Sequence, residues 1–196
     1  MKNASSDKNM IGQWIDGNRQ VFDELALKIW NQPELAFNEH EAAKMHMEFL
    51  RDRGFTVSQK EGLSTAFMAE WRQGGPVVVL LGEYDALAGL SQKVSAVKEP
   101  VTKDAPGHGC GHNLLGVGCM LAACAAKEAF EKSGLKGTLR YYGCPGEEQL
   151  TGKGKMAELG YFDGANLALT WHPNDFSYVT DATMTAVFSA KFKFTG

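Results

Sequence analysis

The feature that most constrains the fold is an unbroken apolar run over residues 76–82, Pro-Val-Val-Val-Leu-Leu-Gly, directly after a Gly-Gly pair. The run is polar on neither face and rich in β-branched residues, which is typical of a central strand covered on both sides. Strands that alternate with helices predict an α/β fold, with helices on both faces of a mostly parallel central sheet. Further strands are predicted at 55–57, 139–144 and 167–171, the last also buried, and helices at 11–31, 39–53, 113–132 and 153–160.

The C-terminal segment carries a different pattern. Residues 185–194 end in an alternation of apolar and polar side chains, which predicts a half-exposed antiparallel strand. We therefore expect one unit over residues 1–184 and the beginning of a second sheet over residues 185–196, cut short at the end of the chain.

Composition excludes several classes of protein. Lysine and arginine number 20 against 23 acidic residues, a net charge of −3, so we expect no nucleic-acid partner. No window of 18 apolar residues predicts a membrane span, and the first 20 residues lack a signal-peptide core, so we expect a cytoplasmic location. The four cysteines follow neither zinc-ribbon spacing nor a small disulfide framework.

The densest group of chemically active residues is His108-Gly109-Cys110-Gly111-His112-Asn113, in a glycine-rich loop before the predicted helix at 113–132. Cys110 and His112 are two residues apart, so an extended backbone would project both side chains the same way. Cysteine with histidine suits a divalent metal of the zinc type, and a helix N-terminus favours the thiolate. The alternative is a packed cysteine beside a hydrogen-bonded histidine.

Carboxylates and a histidine follow three of the predicted strands. Glu147 and Glu148 follow one strand, and one could bind a metal while its neighbour acts as general base. His172 and Asp85 each follow another strand, and Asp85 could orient a ligand from behind. Taken singly, these residues could equally be a solvated acidic turn, a strand-capping histidine and a turn carboxylate. Their convergence with Cys110 and His112 at one sheet edge predicts a functional site.

The remaining candidates are weaker. His40 and His46 lie six residues apart on one predicted helix, hence on different faces, and are interpreted as surface or packing residues. Cys119 and Cys124 fall in an apolar helix and are expected in the core. The basic residues Lys153, Lys155 and Arg140 could meet a carboxylate but are more often solvated.

Four ordered motifs carry a resemblance to a known family. The strings GEYDALAGL, GHGCGHNLLG, YYGCPGEE and ALTWHP resemble the zinc-peptidase-type metallopeptidases that include the aminoacylases. The Cys-Gly-His form of the second motif is similar to the amidohydrolase branch of that family. The resemblance covers almost the whole chain, including residues 32–39.

The resemblance implies two divalent metal ions, commonly manganese or zinc, and hydrolysis of the amide bond between an acyl group and an amino acid. It implies Glu147 as general base and Asp85 as support for the metal centre from behind. The implied substrate is a small acyl-amino acid. The implied metal ligands are Cys110, His112, Glu148 and His172.

The family also has a further histidine ligand near its C-terminus and an inserted lid or dimerisation domain. By this resemblance, residues 1–184 would be the N-terminal part of the catalytic domain and residues 185–196 the start of the lid domain. A homo- or hetero-oligomer would then form through that domain. Where the family usually has glycines after the Glu-Glu pair, this chain has Gln149-Leu150-Thr151.

Two other functions fit the same residues. A metal-free cysteine hydrolase could use Cys110 with His112 or His172. A non-catalytic metal-binding subunit could keep the fold without turnover. Loss of activity with a chelator would separate the first from a metal-dependent enzyme, and a Glu147→Gln variant of an active protein would test the second.

Overall fold

A computed structural model describes residues 4–179, 190 and 192–195. The helices are α1 Ala4–Trp30, α2 His40–Asp52, α3 His112–Ser133 and α4 Gly152–Glu158. The strands are β1 Thr56–Ser58, β2 Phe67–Arg72, β3 Val77–Glu83, β4 Thr138–Cys144 and β5 Leu167–Leu169, and a short 3-10 turn covers Glu147–Gln149.

The five strands form one mixed sheet in the order β1-β2-β4-β3-β5. β3, β4 and β5 run parallel to one another, whereas β1 and β2 pair antiparallel at the other side of the sheet. The α/β fold is therefore confirmed, with the parallel half built from the three strands that precede the predicted site residues. β2 was not predicted from the sequence.

Helices cover both faces of this sheet. Leu80 of β3 packs in the larger core with α1, α2 and α3, whereas its neighbour Val79 packs in a second core with Met156 of α4. Successive strand residues point to opposite faces. Both faces of β3 are therefore apolar, as its unbroken run of aliphatic residues predicts.

The strand predicted at 167–171 is present, but the expectation that it is buried was wrong. β5 spans only Leu167–Leu169 and lies at the edge of the sheet, paired with β3 alone among the described strands. Leu167 and Leu169 are 50% and 48% exposed. Apolar composition alone could not distinguish an edge strand from a central one.

α3 is the central helix of the larger core. By length and composition it could span a membrane, but it packs on α1 and β3, as the core helix of a folded domain does. Cys119 and Cys124 are buried in it, which confirms that they are core residues. On α2, His40 is exposed, and His46 is fully buried.

The predicted strand at 185–194 and the domain boundary after residue 184 depend on residues 180–189 and 191, which lie outside the described residues.

Candidate metal centre

The parallel strands bring the predicted site residues to one edge of the sheet. β3 and β4 end in register, so the loops that follow them begin side by side. α3 packs against β3 with its N-terminus at the same edge. This edge receives Asp85 after β3, Glu147 and Glu148 after β4, His172 after β5, and Cys110 and His112 at the beginning of α3.

Cys110 and His112 reach the centre through a sharp turn, and the expectation of an extended backbone between them was wrong. Gly111 has φ 76° and ψ 20°, a left-handed conformation that glycine adopts at low cost, and it immediately precedes α3. A β-carbon there would lie 3.0 Å from Cγ of Pro173. The turn nevertheless brings together the ligand atoms of Cys110, His112 and His172, all within 4.8 Å of one another.

His112 is held by Asp85 and lies at the middle of the site. Its Nδ1 is 2.9 Å from Oδ1 of Asp85 and 3.0 Å from the Asp85 carbonyl oxygen. Its Nε2 faces three carboxylates: Oε2 of Glu83 at 3.2 Å, Oε2 of Glu147 at 3.7 Å and Oε1 of Glu148 at 3.9 Å. Asp85 also accepts a hydrogen bond from the Glu148 backbone N–H at 2.9 Å. One buried carboxylate thus orients the imidazole and the Glu-Glu turn together.

Cys110 and His172 form the outer side of the site. The Cys110 Sγ lies 3.3 Å from Nε2 of His172, whose Nδ1 lies 2.9 Å from the Pro173 carbonyl oxygen. Sulfur and nitrogen ligands of one zinc ion, at bond lengths of about 2.3 Å and 2.0–2.1 Å, are separated by about 3.1–3.6 Å. The pair forms a hydrogen bond in the structure, and its spacing also fits two ligands on one ion.

The polar atoms of the site fit divalent cations. Nε2 of His112, Oε2 of Glu83 and Oε1 of Glu148 are buried, with no hydrogen-bond partner among the described residues. Such atoms are costly to bury unless a proton or a cation satisfies them. Two groups of potential ligands share His112: Cys110 with His172, and Glu83 with Glu147. Imidazole, thiol and carboxylate donors are the ligands that zinc and similar ions use.

The Cys110 thiol does not behave as its position at a helix N-terminus led us to expect. Burial, followed by the nearby charge of Glu148, raises its pKa to about 11, and Glu147 and Glu83 act in the same direction. Burial, together with the carboxylates, therefore outweighs the helix dipole. With so high a pKa, the thiol loses its proton at neutral pH only when a cation lies beside it. A bound metal ion has this effect on a coordinating thiol.

The pKa of Glu147 is raised by burial and then by the charge of Glu83. A carboxyl group whose pKa is raised is suited to take up a proton during a reaction. At His112, burial opposes protonation, but the hydrogen bond and charge of Asp85 outweigh it and raise the pKa. The carboxylates around His112 therefore attract positive charge to this point.

Sequence reasoning missed Glu83 and the partner of its carboxylate. Glu83 is the last residue of β3, and its side chain forms a buried ion pair with Lys153 of α4. A charged residue directly after an aliphatic run was the available signal. Lys153 is 70 residues away in the chain, so only the fold shows the pair. Of the other basic candidates, Arg140 pairs with Glu70 at 2.7 Å.

The motifs, the fold and the residues at this edge are those expected of the aminoacylase-like family of metallopeptidases and amidohydrolases, and comparison with known proteins agrees. The chain is 45% identical over 93% of its length to an Escherichia coli K12 protein named as a subunit of p-aminobenzoyl-glutamate hydrolase. It is 31% identical to the Xaa-Arg dipeptidase of Mus musculus over 85% of its length. The chain belongs to this family, and it spans 38% of the length of each of these two relatives.

Solved structures show the same fold. A Bacillus subtilis protein described as a dinuclear metal binding peptidase of the M20 family matches 78% of the chain and 42% of its own, with a TM-score of 0.67 at 22% identity. An aminobenzoyl-glutamate utilization protein from Klebsiella pneumoniae matches 81% of the chain and 45% of its own, with a TM-score of 0.59 at 14% identity. A scan against protein-family models found no match.

Proposed function

We propose that this chain supplies the catalytic-domain ligands of a metal-dependent amidohydrolase that cleaves an N-acyl amino-acid amide bond. The observation that carries the proposal is the His112 imidazole. Asp85 holds it from behind, and its buried Nε2 faces the carboxylates of Glu147 and Glu148. A site at a sheet edge with several buried oxygen and nitrogen atoms that lack hydrogen-bond partners among the described residues is suited to bind cations and a reacting water.

Within this proposal, Cys110, His112, Glu148 and His172 would hold two divalent ions, manganese or zinc. When bound, such ions supply a Lewis acid for the scissile carbonyl and a water that ionises near neutral pH. Asp85 keeps His112 Nε2 directed at the site. Glu147 takes the proton of the attacking water on a carboxylate oxygen and returns it to the departing amine nitrogen. The raised pKa of Glu147 supports the second half of this transfer.

The substrate we propose is p-aminobenzoyl-glutamate or a related acyl-amino acid or dipeptide. The support is similarity along 93% of the chain to a relative named for hydrolysis of p-aminobenzoyl-glutamate. That relative is named as a subunit, so we also propose that the whole protein works as a homo- or hetero-oligomer in the cytoplasm. Residues 185–196 would begin the lid domain through which it assembles.

The experiment is an assay of p-aminobenzoate release from p-aminobenzoyl-glutamate with added manganese or zinc. We expect Glu147→Gln to lower kcat by about 10²–10⁴-fold, the usual contribution of a general base, while bound metal is retained. The matched control is Glu158→Gln, at an exposed glutamate of α4. Activity that survives both a chelator and Glu147→Gln would contradict the proposal.

The same assay separates the two other functions. A metal-free cysteine hydrolase would keep its activity in chelator. The raised pKa of Cys110 argues against a cysteine hydrolase, because a thiol with a pKa of about 11 stays protonated at neutral pH, and the nucleophile is the thiolate. A non-catalytic subunit would bind metal yet release no product, and Glu147→Gln would then have no activity to remove.

A further inference from the structure

Glu83 has two carboxylate oxygens in different environments. Its side chain is 7% exposed, and Oε1 accepts a hydrogen bond from the Lys153 ammonium. Oε2 is buried, has no hydrogen-bond partner within the described part of the chain, and lies 3.2 Å from Nε2 of His112. The lysine thus accounts for one oxygen and leaves the other facing the centre of the site.

The contact between Glu83 and His112 is favourable only when a proton or a cation lies between the two atoms. A proton on Nε2 of His112 does not satisfy it here, because Nε2 and Oε2 form no hydrogen bond with each other at 3.2 Å. A neutral imidazole carries one N–H, and Nδ1 of His112 is already within hydrogen-bond distance of Asp85. Nε2 then presents a lone pair, and Oε2 of Glu83 presents another. Two such ligands on one tetrahedral zinc ion, each about 2.0–2.1 Å away, are separated by about 3.3 Å. The observed 3.2 Å matches that spacing.

We propose that Glu83 is a further metal ligand, whose Oε2 binds the same ion as Nε2 of His112, with Lys153 as the counter-ion of its other oxygen. The inference rests on the proposed metal centre. It adds one carboxylate to a ligand set that already contains Cys110 and His172. Carboxylates favour harder ions than thiolates do, so Glu83 would move the preference of the ion at Nε2 of His112 towards a harder metal.

Lys153 explains why this carboxylate can stay buried without a metal. It projects from the first turn of α4, and its ammonium is the one lysine or arginine group within ion-pair distance of Glu83 in the described structure. The carboxylates of Glu147 and Glu148 also face Nε2 of His112, so one ammonium does not balance the carboxylates at this point. A cation beside Oε2 would do so, with Glu83 as its ligand and Lys153 only positioning Glu83, which makes the two residues unequal in a metal-binding experiment.

The test compares Glu83→Gln with Lys153→Met by competition of the protein with a chromophoric zinc chelator. Loss of an outer partner of a ligand costs about 10–100-fold in affinity, and loss of the ligand itself should cost more. We therefore expect Glu83→Gln to weaken zinc binding by more than about 100-fold. Lys153→Met, which removes the outer partner of Glu83 and leaves the carboxylate ligand in place, should weaken it by less, about 10-fold. The matched control is Glu70→Gln, which breaks the Glu70–Arg140 ion pair on β2 and β4.

A second readout shows whether the site stays assembled. With cobalt in place of zinc, the thiolate absorption band from Cys110 should persist in Glu83→Gln, and circular dichroism should match the wild type. Unchanged zinc affinity in Glu83→Gln would overturn the inference. So would equal weakening in Glu83→Gln and Lys153→Met, because the pair would then serve only the fold.

Failure of the inference and failure of the metal centre give different results. If only the inference fails, Glu83→Gln binds zinc as the wild type does, while Cys110→Ala and His112→Ala lose it. If the metal centre fails, the wild type itself binds no zinc, and the inference falls with it.

Discussion

The buried histidine of α2 makes stability depend on pH in a direction that can be worked out. His46 is fully buried beside Tyr141, with its Nδ1 2.9 Å from the Tyr141 hydroxyl and its Nε2 without a partner among the described residues. Burial lowers the pKa of His46 to about 3, whereas an exposed histidine in an unfolded chain titrates near 6.5. The native state therefore resists a proton that the unfolded state accepts.

Since the folded pKa is the lower one, stability is present above pH 6.5 and is lost as pH falls from 6.5 towards 3. Each pH unit in that window costs up to about 1.4 kcal/mol for one such group. Between pH 7 and pH 5, His46 should account for a loss of about 2 kcal/mol in the free energy of unfolding. That is a large fraction of the ~5–15 kcal/mol typical of a domain.

The assay is urea unfolding at pH 7, 6 and 5 in the presence of a chelator, which removes any contribution from bound metal. His46→Gln should be less stable than the wild type at pH 7, because it alters a buried contact. Its free energy of unfolding should, however, fall by about 2 kcal/mol less between pH 7 and pH 5. His40→Gln, at an exposed position on the same helix, is the control. Equal pH slopes for His46→Gln and the wild type would show that burial of His46 does not cause this loss of stability.

Three further substitutions have outcomes that thermal and urea unfolding can check. Leu150 is exposed and has φ 56°, a backbone conformation that costs a non-glycine residue about 1–2 kcal/mol. Leu150→Gly should therefore raise the free energy of unfolding by about 0.5–1 kcal/mol, once the larger entropy of glycine in the unfolded chain is subtracted. Leu150→Ala, which keeps a β-carbon, should not raise it. Gly116→Ala would place a β-carbon against the Glu83 carbonyl oxygen and 2.7 Å from Cε1 of His46. It should therefore lower the free energy of unfolding by about 1–3 kcal/mol and weaken metal binding. Unchanged stability would show that α3 can shift to make room. Glu39→Ala removes the buried carboxylate that accepts the Gly146 N–H at 2.8 Å, so it should cost about 1–3 kcal/mol, and Glu39→Gln should recover part of that loss.

The parallel half of the fold follows from the sequence because its elements are apolar on both sides. β3 and α3 are buried on most sides, so each has a long run of apolar residues that predicts a buried element from the sequence. β2 was missed because its alternation is short: only Ala69, Glu70, Trp71 and Arg72 alternate, after the two apolar residues Phe67 and Met68. The charge of Glu70 is met by Arg140 on the neighbouring strand, which the sequence does not show. For β5 the error was in burial: its apolar residues predicted a central, buried strand, whereas β5 lies at the sheet edge and is exposed.

The candidate site could be located from strand ends but not completed. Asp85, Glu148 and His172 follow strands, and parallel topology brings strand ends together whatever the details of packing. Glu83 could not be assigned, because its environment is made by α4, which comes much later in the chain. His46 was open between surface and packing for the same reason: its partner Tyr141 is 95 residues away.

The amount of metal bound per chain decides whether the residues at this sheet edge form a metal centre. Elemental mass spectrometry would be applied to the protein, to Cys110→Ala and to a control, Cys119→Ala, at a cysteine in the core of α3. We expect about one or two equivalents in the protein and in the control, as a two-metal site requires, and a loss in Cys110→Ala. No metal in the protein, or the same metal content in all three, would contradict this expectation.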